Sequence, residues 1–238
     1  LEYAETEGIS VSQAEISRTL SLLFPPGFVV ELRALRKSGG MASGYYTDFA
    51  KLAHDAEALD TTTEFAGMYV ILNEINPVLF SRRANRIEMR LSKEEKATSD
   101  EDILHRWWFP VDVDPKRPSG ISSSDEEHEE SLRKAEKIRG FLSEMGWPEP
   151  IAADSGNGAH LLYRIDLPND SKSAQLIRQG LSVLSAFFSD DCSSIDTSVG
   201  KAAQLWKLYG TMAKKGDSVA DRPHRRSLIL SSPEYPEV

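Results

Sequence analysis

Two carboxylates one residue apart, Asp112 and Asp114 in the run Val111-Asp112-Val113-Asp114-Pro115, are the side chains of this sequence best spaced to do chemistry. They follow the apolar stretch Trp107-Trp108-Phe109-Pro110, which reads as a buried strand. Side chains alternate faces along a strand, so both acids project from one side, one pleat apart. At about 4 Å and an effective dielectric near 20, two such charges repel by roughly 4 kcal/mol. A fold that keeps both is expected to set a cation between them, and oxygen ligands of this kind suit magnesium or manganese. The same pattern also arises at strand ends whose acids simply face water, so the neighbouring residues decide between the two.

Three further groups bear on that choice. The turn Ser155-Gly156-Asn157-Gly158, followed by Ala159 and His160, could offer backbone amides as an anion-binding nest, with His160 donating to a phosphate oxygen. A third acid, Asp196, could complete a three-carboxylate metal site. Cations then gather at Lys207, Lys214, Lys215, Arg222, His224, Arg225 and Arg226, as triphosphate binding requires, because metals alone do not neutralise its charge. Taken singly, a glycine turn is commonly just a turn, and a basic residue commonly a solvated one. Arg82, Arg83 and Arg86 could hold template phosphates.

The elements that must position these residues are legible in the second half. A strand over 107–114 leads through a loop into a helix capped by the Ser122–Ser124 cluster, burying Leu132, Ala135, Ile138, Leu142 and Met145 and stopping at Gly146. Strands over 150–154 and 159–165 flank the glycine turn as a hairpin. A helix over 173–188 follows, then strands over 203–209 and 227–230. The order β-α-β-β-α-β is a split-βαβ, RRM-like pattern. In the first half, Ser12 and Glu15 have capping-box spacing, with Val11 and Ile16 at staple positions and Pro25-Pro26 ending the helix. A strand over 28–35, a turn over 37–40, a helix over 48–59, a strand over 68–72 and a helix over 77–89 complete it. The polar run 92–100 reads as the connection. The expected fold is therefore α+β, an N-terminal α/β module (1–100) and an RRM-like module (101–238) packing as one domain.

At 238 residues the chain can bury a sizeable core. No apolar run is long enough to span a membrane and no secretion signal opens the sequence. The single cysteine, Cys192, excludes an internal disulfide and a cysteine-rich zinc site, so a cytoplasmic location is expected. A net charge of −9 argues against non-specific coating of nucleic acid but not against local binding, because acids crowd 125–130 while bases gather at 82–90 and 201–226. The chain begins at Leu1, as expected of a piece of something longer.

Together the ordered series VDVDP, DSGNGAH, SIDTS, LWKLYGT, KKGD and DRPHR resembles the catalytic core of the archaeo-eukaryotic primase superfamily, specifically its primase-polymerases of mobile elements. The resemblance covers about residues 105–230, and extends less specifically to FVVELRAL, SGYYTD and YVILNEINP. It implies that Asp112, Asp114 and Asp196 ligate magnesium or manganese in a two-metal site. It implies that His160 contacts the triphosphate, and that Lys207, Lys215, His224 and Arg225 line its site with Thr211 nearby. Implied partners are a single-stranded DNA template, a primer and nucleoside triphosphates, with a helicase domain in the parent protein. No zinc is expected. One departure stands out: Gly158 occupies a position where the family pattern often has serine, so a backbone amide or Ser155 would have to supply that contact. Two other readings compete. A glycosyltransferase also uses Asp-x-Asp to hold a metal-bound sugar nucleotide, though it would not need the remaining series. A non-catalytic RRM-like module would bind nucleic acid through aromatics on its sheet, where this chain has acids.

Overall fold

Ile16, Leu20 and Leu23 recur at helical spacing, and they form the buried face of α1 (Val11–Leu23) in the computed structural model, which describes residues 10–92 and 95–234. Strands β1 (Val30–Arg36) and β2 (Met41–Tyr46) follow as a hairpin. Helix α2 (Phe49–Asp60) is capped by Asp48, whose carboxylate accepts from the Lys51 amide at 2.9 Å. Strand β3 (Phe65–Ile71) ends this part.

The second part begins with the two-residue strand β4 (Glu74–Ile75) and the long strand β5 (Ile103–Pro115). Helix α3 (Asp125–Glu144) carries a true capping box: Ser124 accepts from the Glu127 amide while Glu127 accepts from the Ser124 amide. Then come β6 (Ile151–Asp154), β7 (Ala159–Pro168), α4 (Ser171–Phe188), β8 (Ser193–Ile195) and β9 (Leu205–Lys207). The short strands β10 (Met212–Ala213) and β11 (Arg225–Arg226) pair with each other, and β12 (Leu228–Ser231) is last.

The architecture is mixed α+β, with two larger antiparallel sheets. One has the order β2-β1-β3-β9, the other β12-β6-β7-β5-β4, with β8 also pairing with β5. Because β7 is antiparallel to both β5 and β6, those two run parallel with β7 between them. Helices α3 and α4 pack on β5, β7 and β8. The sheets exchange strands: β9, from the second half of the chain, extends the first sheet through β3, while β4, from the first half, lies along β5. One apolar cluster runs through both, joining Leu20, Leu32 and Val70 to Trp108, Val111, Ile138 and Leu161.

Several elements differ from the sequence expectation. The cap of α1 is Ser10, not Ser12. Ser12 instead donates to the Gly210 carbonyl, Glu15 accepts from the Ile229 amide, and Val11 is 87% exposed, so no staple forms. Strand β2 went unread because it is buried on both faces and shows no alternation. The expected helix over 77–89 is only a 3-10 turn over Pro77–Arg82. Beyond it the chain runs along β2, with hydrogen bonds from the Tyr45 amide to the Arg83 carbonyl and from the Asn85 amide to the Tyr45 carbonyl. These tertiary bonds, and a positive φ of 47° at Asn85, override helical propensity. Met145 ends α3 exposed rather than buried. The strand over 203–209 is limited to β9 and sits in the first sheet. Residues 93–94 of the polar connection, and the chain ends 1–9 (Leu1 among them) and 235–238, lie outside the described residues. Among the described residues no helix is long and apolar enough to cross a membrane.

Candidate active site

Alternation along β5 sets up the site. Val111 and Val113 are fully buried in the core, whereas Asp112 and Asp114 lie half-buried on the opposite face. Strand β7 puts His160 in register with Asp112 on one side. On the other, the Asp196 amide donates to the Asp112 carbonyl at 3.0 Å. Directly opposed residues share a face with Cβ atoms about 4.5–5.5 Å apart. His160 and Asp112 are such a pair, and His160 Nε2 lies 3.4 Å from Asp112 Oδ1. Asp196 continues the row, but its carboxylate turns to cap the 3-10 turn Thr197–Gly200, accepting from the Ser198 amide at 2.7 Å. Among the described residues no group of three or more His, Cys, Asp or Glu side chains is gathered to hold a metal. The assembled pair is Asp112 and Asp114.

That pair has the electrostatics of a cation site. The negative charge of Asp112, and then burial, hold the Asp114 carboxyl above its ordinary range. Lys215, Arg117 and His160 oppose this, with Arg117 Nη1 3.6 Å from Asp114 Oδ1. The donors fit magnesium or manganese bound in the manner of nucleotide sites, where one or two carboxylates hold the ion and phosphate oxygens and water complete its shell.

The glycine turn is packed rather than open. Its amides are already engaged: Gly156 donates to Asp154 Oδ1 at 2.6 Å, and Asn157 and Gly158 donate to Ser155 Oγ at 3.4 and 3.0 Å. The expected anion nest is therefore filled by the turn's own side chains. Gly156 has φ +88°, and a Cβ there would stand 2.7 Å from Ala213 Cβ and 2.8 Å from the Arg225 carbonyl. At Gly158 a Cβ would fall deep inside the contact distance of the Val113 carbonyl oxygen, so this fold has no room for serine there. Asn157 Oδ1 accepts from the Ser123 amide at 2.9 Å, tying the turn to the start of α3.

Asp112 and Asp114 line a cavity together with Ser155, Asn157 and His160 and with Tyr69, Lys207, Lys214 and Lys215. Lys207 is buried at its wall, with Nζ donating to the Met212 carbonyl at 2.7 Å. Burial pushes its ammonium down to about 7. Tyr69 faces Lys207 in register, and burial, then Asp112 and Asp114, raise its phenol above the ordinary value. Lys214 donates to the Asp60 and Thr62 carbonyls and lies 3.5 Å from the Asp60 carboxylate, which also accepts from the Met212 amide.

The other sequence candidates lie elsewhere. Thr211 is fully buried and donates to the Leu208 carbonyl. His224 meets the Gly216 carbonyl at 3.0 Å, outside the cavity. Arg225 pairs with Asp125 and donates to the Ser123 carbonyl, so it braces the start of α3. Arg83 is 1% exposed and locked between Glu31 and Ser43 over the Tyr45 ring, which leaves Arg82 and Arg86 as the exposed arginines of that segment. The sequence assigns no role to Tyr69, and places Lys214 only among the gathered cations. Alternation in β3 marks Tyr69 as facing away from its buried neighbours Met68 and Val70, but what it faces depends on the pairing with β9.

No family model matches this chain, and no curated protein matches it. Two solved structures are similar to it, both at 12% identity. The crystal structure of primase RepB' has a TM-score of 0.48 over 93% of this chain and 56% of that one. The catalytic domain of primase RepB' in complex with initiator DNA has a TM-score of 0.49 over 94% of this chain and 86% of that one. The chain thus spans little more than half the length of the first.

Proposed function

We propose that this chain is the catalytic core of a DNA primase-polymerase, joining nucleoside triphosphates to a 3′ hydroxyl on a single-stranded DNA template and so making or extending primers in the replication of a mobile element. The observation that carries the reading is the pairing of Asp112 and Asp114 with His160 on one sheet face, in a cavity that Lys207, Lys214 and Lys215 also line. Carboxylates to hold a divalent cation and cations to meet a polyanion, in one cavity, are what a metal-bound triphosphate requires. An RRM-like module fits β5-α3-β6-β7-α4-β8, with strands in the order β8-β5-β7-β6, and works as one unit with the N-terminal α/β module because each lends the other a strand.

Magnesium or manganese bound at Asp112 and Asp114 would polarise the reacting phosphate and activate the attacking hydroxyl. Asp196, whose Oδ1 caps Ser198, would join a two-metal arrangement through its other carboxylate oxygen. His160 directs Nε2 toward the same space and would donate to a phosphate oxygen. Lys215 would neutralise the triphosphate, Lys214 would add to it on turning from the Asp60 and Thr62 carbonyls, and Lys207 at the wall would gain charge as the anion arrives. Ser155 and Asn157 would shape the wall, and Arg82 and Arg86 would take template phosphates. The test is incorporation of labelled ribo- and deoxynucleotides with magnesium or manganese on single-stranded DNA, with and without primer. The Asp112→Ala/Asp114→Ala double variant runs beside it. Product that disappears in the variant is expected; product that persists in the variant refutes the site, and none with the wild type refutes the reading.

A further inference from the structure

Behind His160 lies a closed hydrogen-bond chain that the site chemistry above does not use. Trp206 Nε1 donates to Tyr209 Oη at 2.7 Å, and Tyr209 Oη lies 2.9 Å from His160 Nδ1. The His160 ring also rests on Trp206, centroids 4.1 Å apart. All three side chains are buried, with exposures of 2%, 0% and 5% for Trp206, Tyr209 and His160.

We propose that Trp206 and Tyr209 are positioning residues that hold neutral His160 in the tautomer with its proton on Nε2, so that it presents a donor, and not a lone pair, to the cavity beside Asp112. The inference rests on the nucleotide reading for its consequence but not for its geometry. An indole nitrogen can only donate, so Trp206 occupies one lone pair of Tyr209 Oη. The phenol proton then needs an acceptor, and the neighbour it has is His160 Nδ1. Were the imidazole proton on Nδ1 instead, Tyr209 would receive two donors and its own proton would be left unsatisfied in a fully buried place, the costlier arrangement. Burial also pushes the Tyr209 phenol well above its ordinary value, so it remains a donor. With Nδ1 accepting, the remaining proton sits on Nε2, 3.4 Å from Asp112 Oδ1. That distance is long for a strong hydrogen bond, which leaves the N–H available to an anionic oxygen of a ligand.

The consequence is chemical. In this tautomer His160 can neither ligate a metal through Nε2 nor act there as a general base, so its task is donation to an anionic ligand oxygen. The fold also explains how the chain is held. Gly210 follows Tyr209 with φ +95°, where a Cβ would stand 2.7 Å from Ile16 Cγ1, so the turn that delivers the phenol is pinned against α1.

The test is ring-labelled histidine nitrogen NMR of the nucleotide-free protein at alkaline pH, with the His160 signals assigned by their loss in His160→Gln. The wild type is expected to show one tautomer, protonated at Nε2 with Nδ1 hydrogen-bonded. Tyr209→Phe is expected to populate the Nδ1-protonated form and to raise the nucleotide KM about tenfold with a smaller change in kcat. A wild-type proton on Nδ1 overturns the proposal without any use of Tyr209→Phe, which guards against a variant that folds poorly. An unchanged tautomer and KM in a folded Tyr209→Phe overturn it as well. Because the spectrum is read without turnover, failure of the polymerase reading would be separately visible as absent incorporation.

Discussion

Replacing Asp114 by asparagine should make the metal-free protein more stable while ending its activity. The two acids sit two residues apart on one strand, a separation of about 6.7 Å at 3.3–3.4 Å per residue. At an effective dielectric near 20 their repulsion is then roughly 2.5 kcal/mol. Lys215, Arg117 and His160 offset part of this, and the Asp114 side chain keeps 38% exposure, so solvent screens it further. A net gain of about 1 kcal/mol is expected for Asp114→Asn near neutral pH, or roughly 2–4 °C in Tm for a chain of this size. The pH dependence carries the sign. Asp114 has a raised folded pKa, so the folded state binds a proton where the unfolded chain does not. Stability therefore falls as pH rises from the unfolded value of 3.8 through the raised folded one, and the full cost is present above it. Urea midpoints across that range, in chelator, should show the wild type losing this increment and Asp114→Asn losing less. Magnesium at about 100 times its Kd should then add roughly 2.7 kcal/mol to the wild type and much less to the variant. A variant no more stable than wild type, with an unchanged pH profile and an equal response to magnesium, would refute the reasoning.

Gly158→Ser should cost about 1–3 kcal/mol, because the new Cβ meets the Val113 carbonyl rather than a movable side chain; a thermal midpoint equal to wild type would show that β5 and β7 separate freely. Arg83→Met should cost about 1–3 kcal/mol, measurable by urea unfolding, because it removes one of two arginines beside the fully buried Glu31, which keeps Arg33 at 2.7 Å and the Ser43 hydroxyl. Lys207, depressed to about 7 in the folded state, lacks a proton that the unfolded chain keeps up to its ordinary 10.5. Stability should thus rise with pH across that window, and Lys207→Met should flatten the rise in urea midpoints. Triphosphate binding near pH 8 should also take up a proton, seen as calorimetric heats that differ between buffers; equal heats would leave Lys207 outside the site.

The chemistry-bearing residues divide by how far apart they are in sequence. Asp112 and Asp114 were legible because strand alternation is local: two acids at i and i+2, flanked by valines, must share a face. The glycine turn and His160 were legible for the same reason, since a hairpin brings its own strands together. Helices α2, α3 and α4 followed from apolar spacing, and the start of α3 from the Ser122–Ser124 cluster. The segment 77–89 misled because its arginines look amphipathic, whereas Arg83 is drawn inward by Glu31, 52 positions earlier.

By itself the sequence determined an α+β chain, its β-α-β-β-α stretch, and an acid pair beside a histidine turn. Periodicity and turn chemistry act over a few residues and leave a readable trace. The tertiary structure alone decided that β9 joins the first sheet, which carries Lys207 and Tyr69 to the cavity and Trp206 and Tyr209 behind His160. It also decided that Arg225 braces α3 through Asp125, 100 positions earlier. Those outcomes depend on which strand edges and side chains find each other across tens of residues or more, 138 for Tyr69 and Lys207, and no local pattern records that choice.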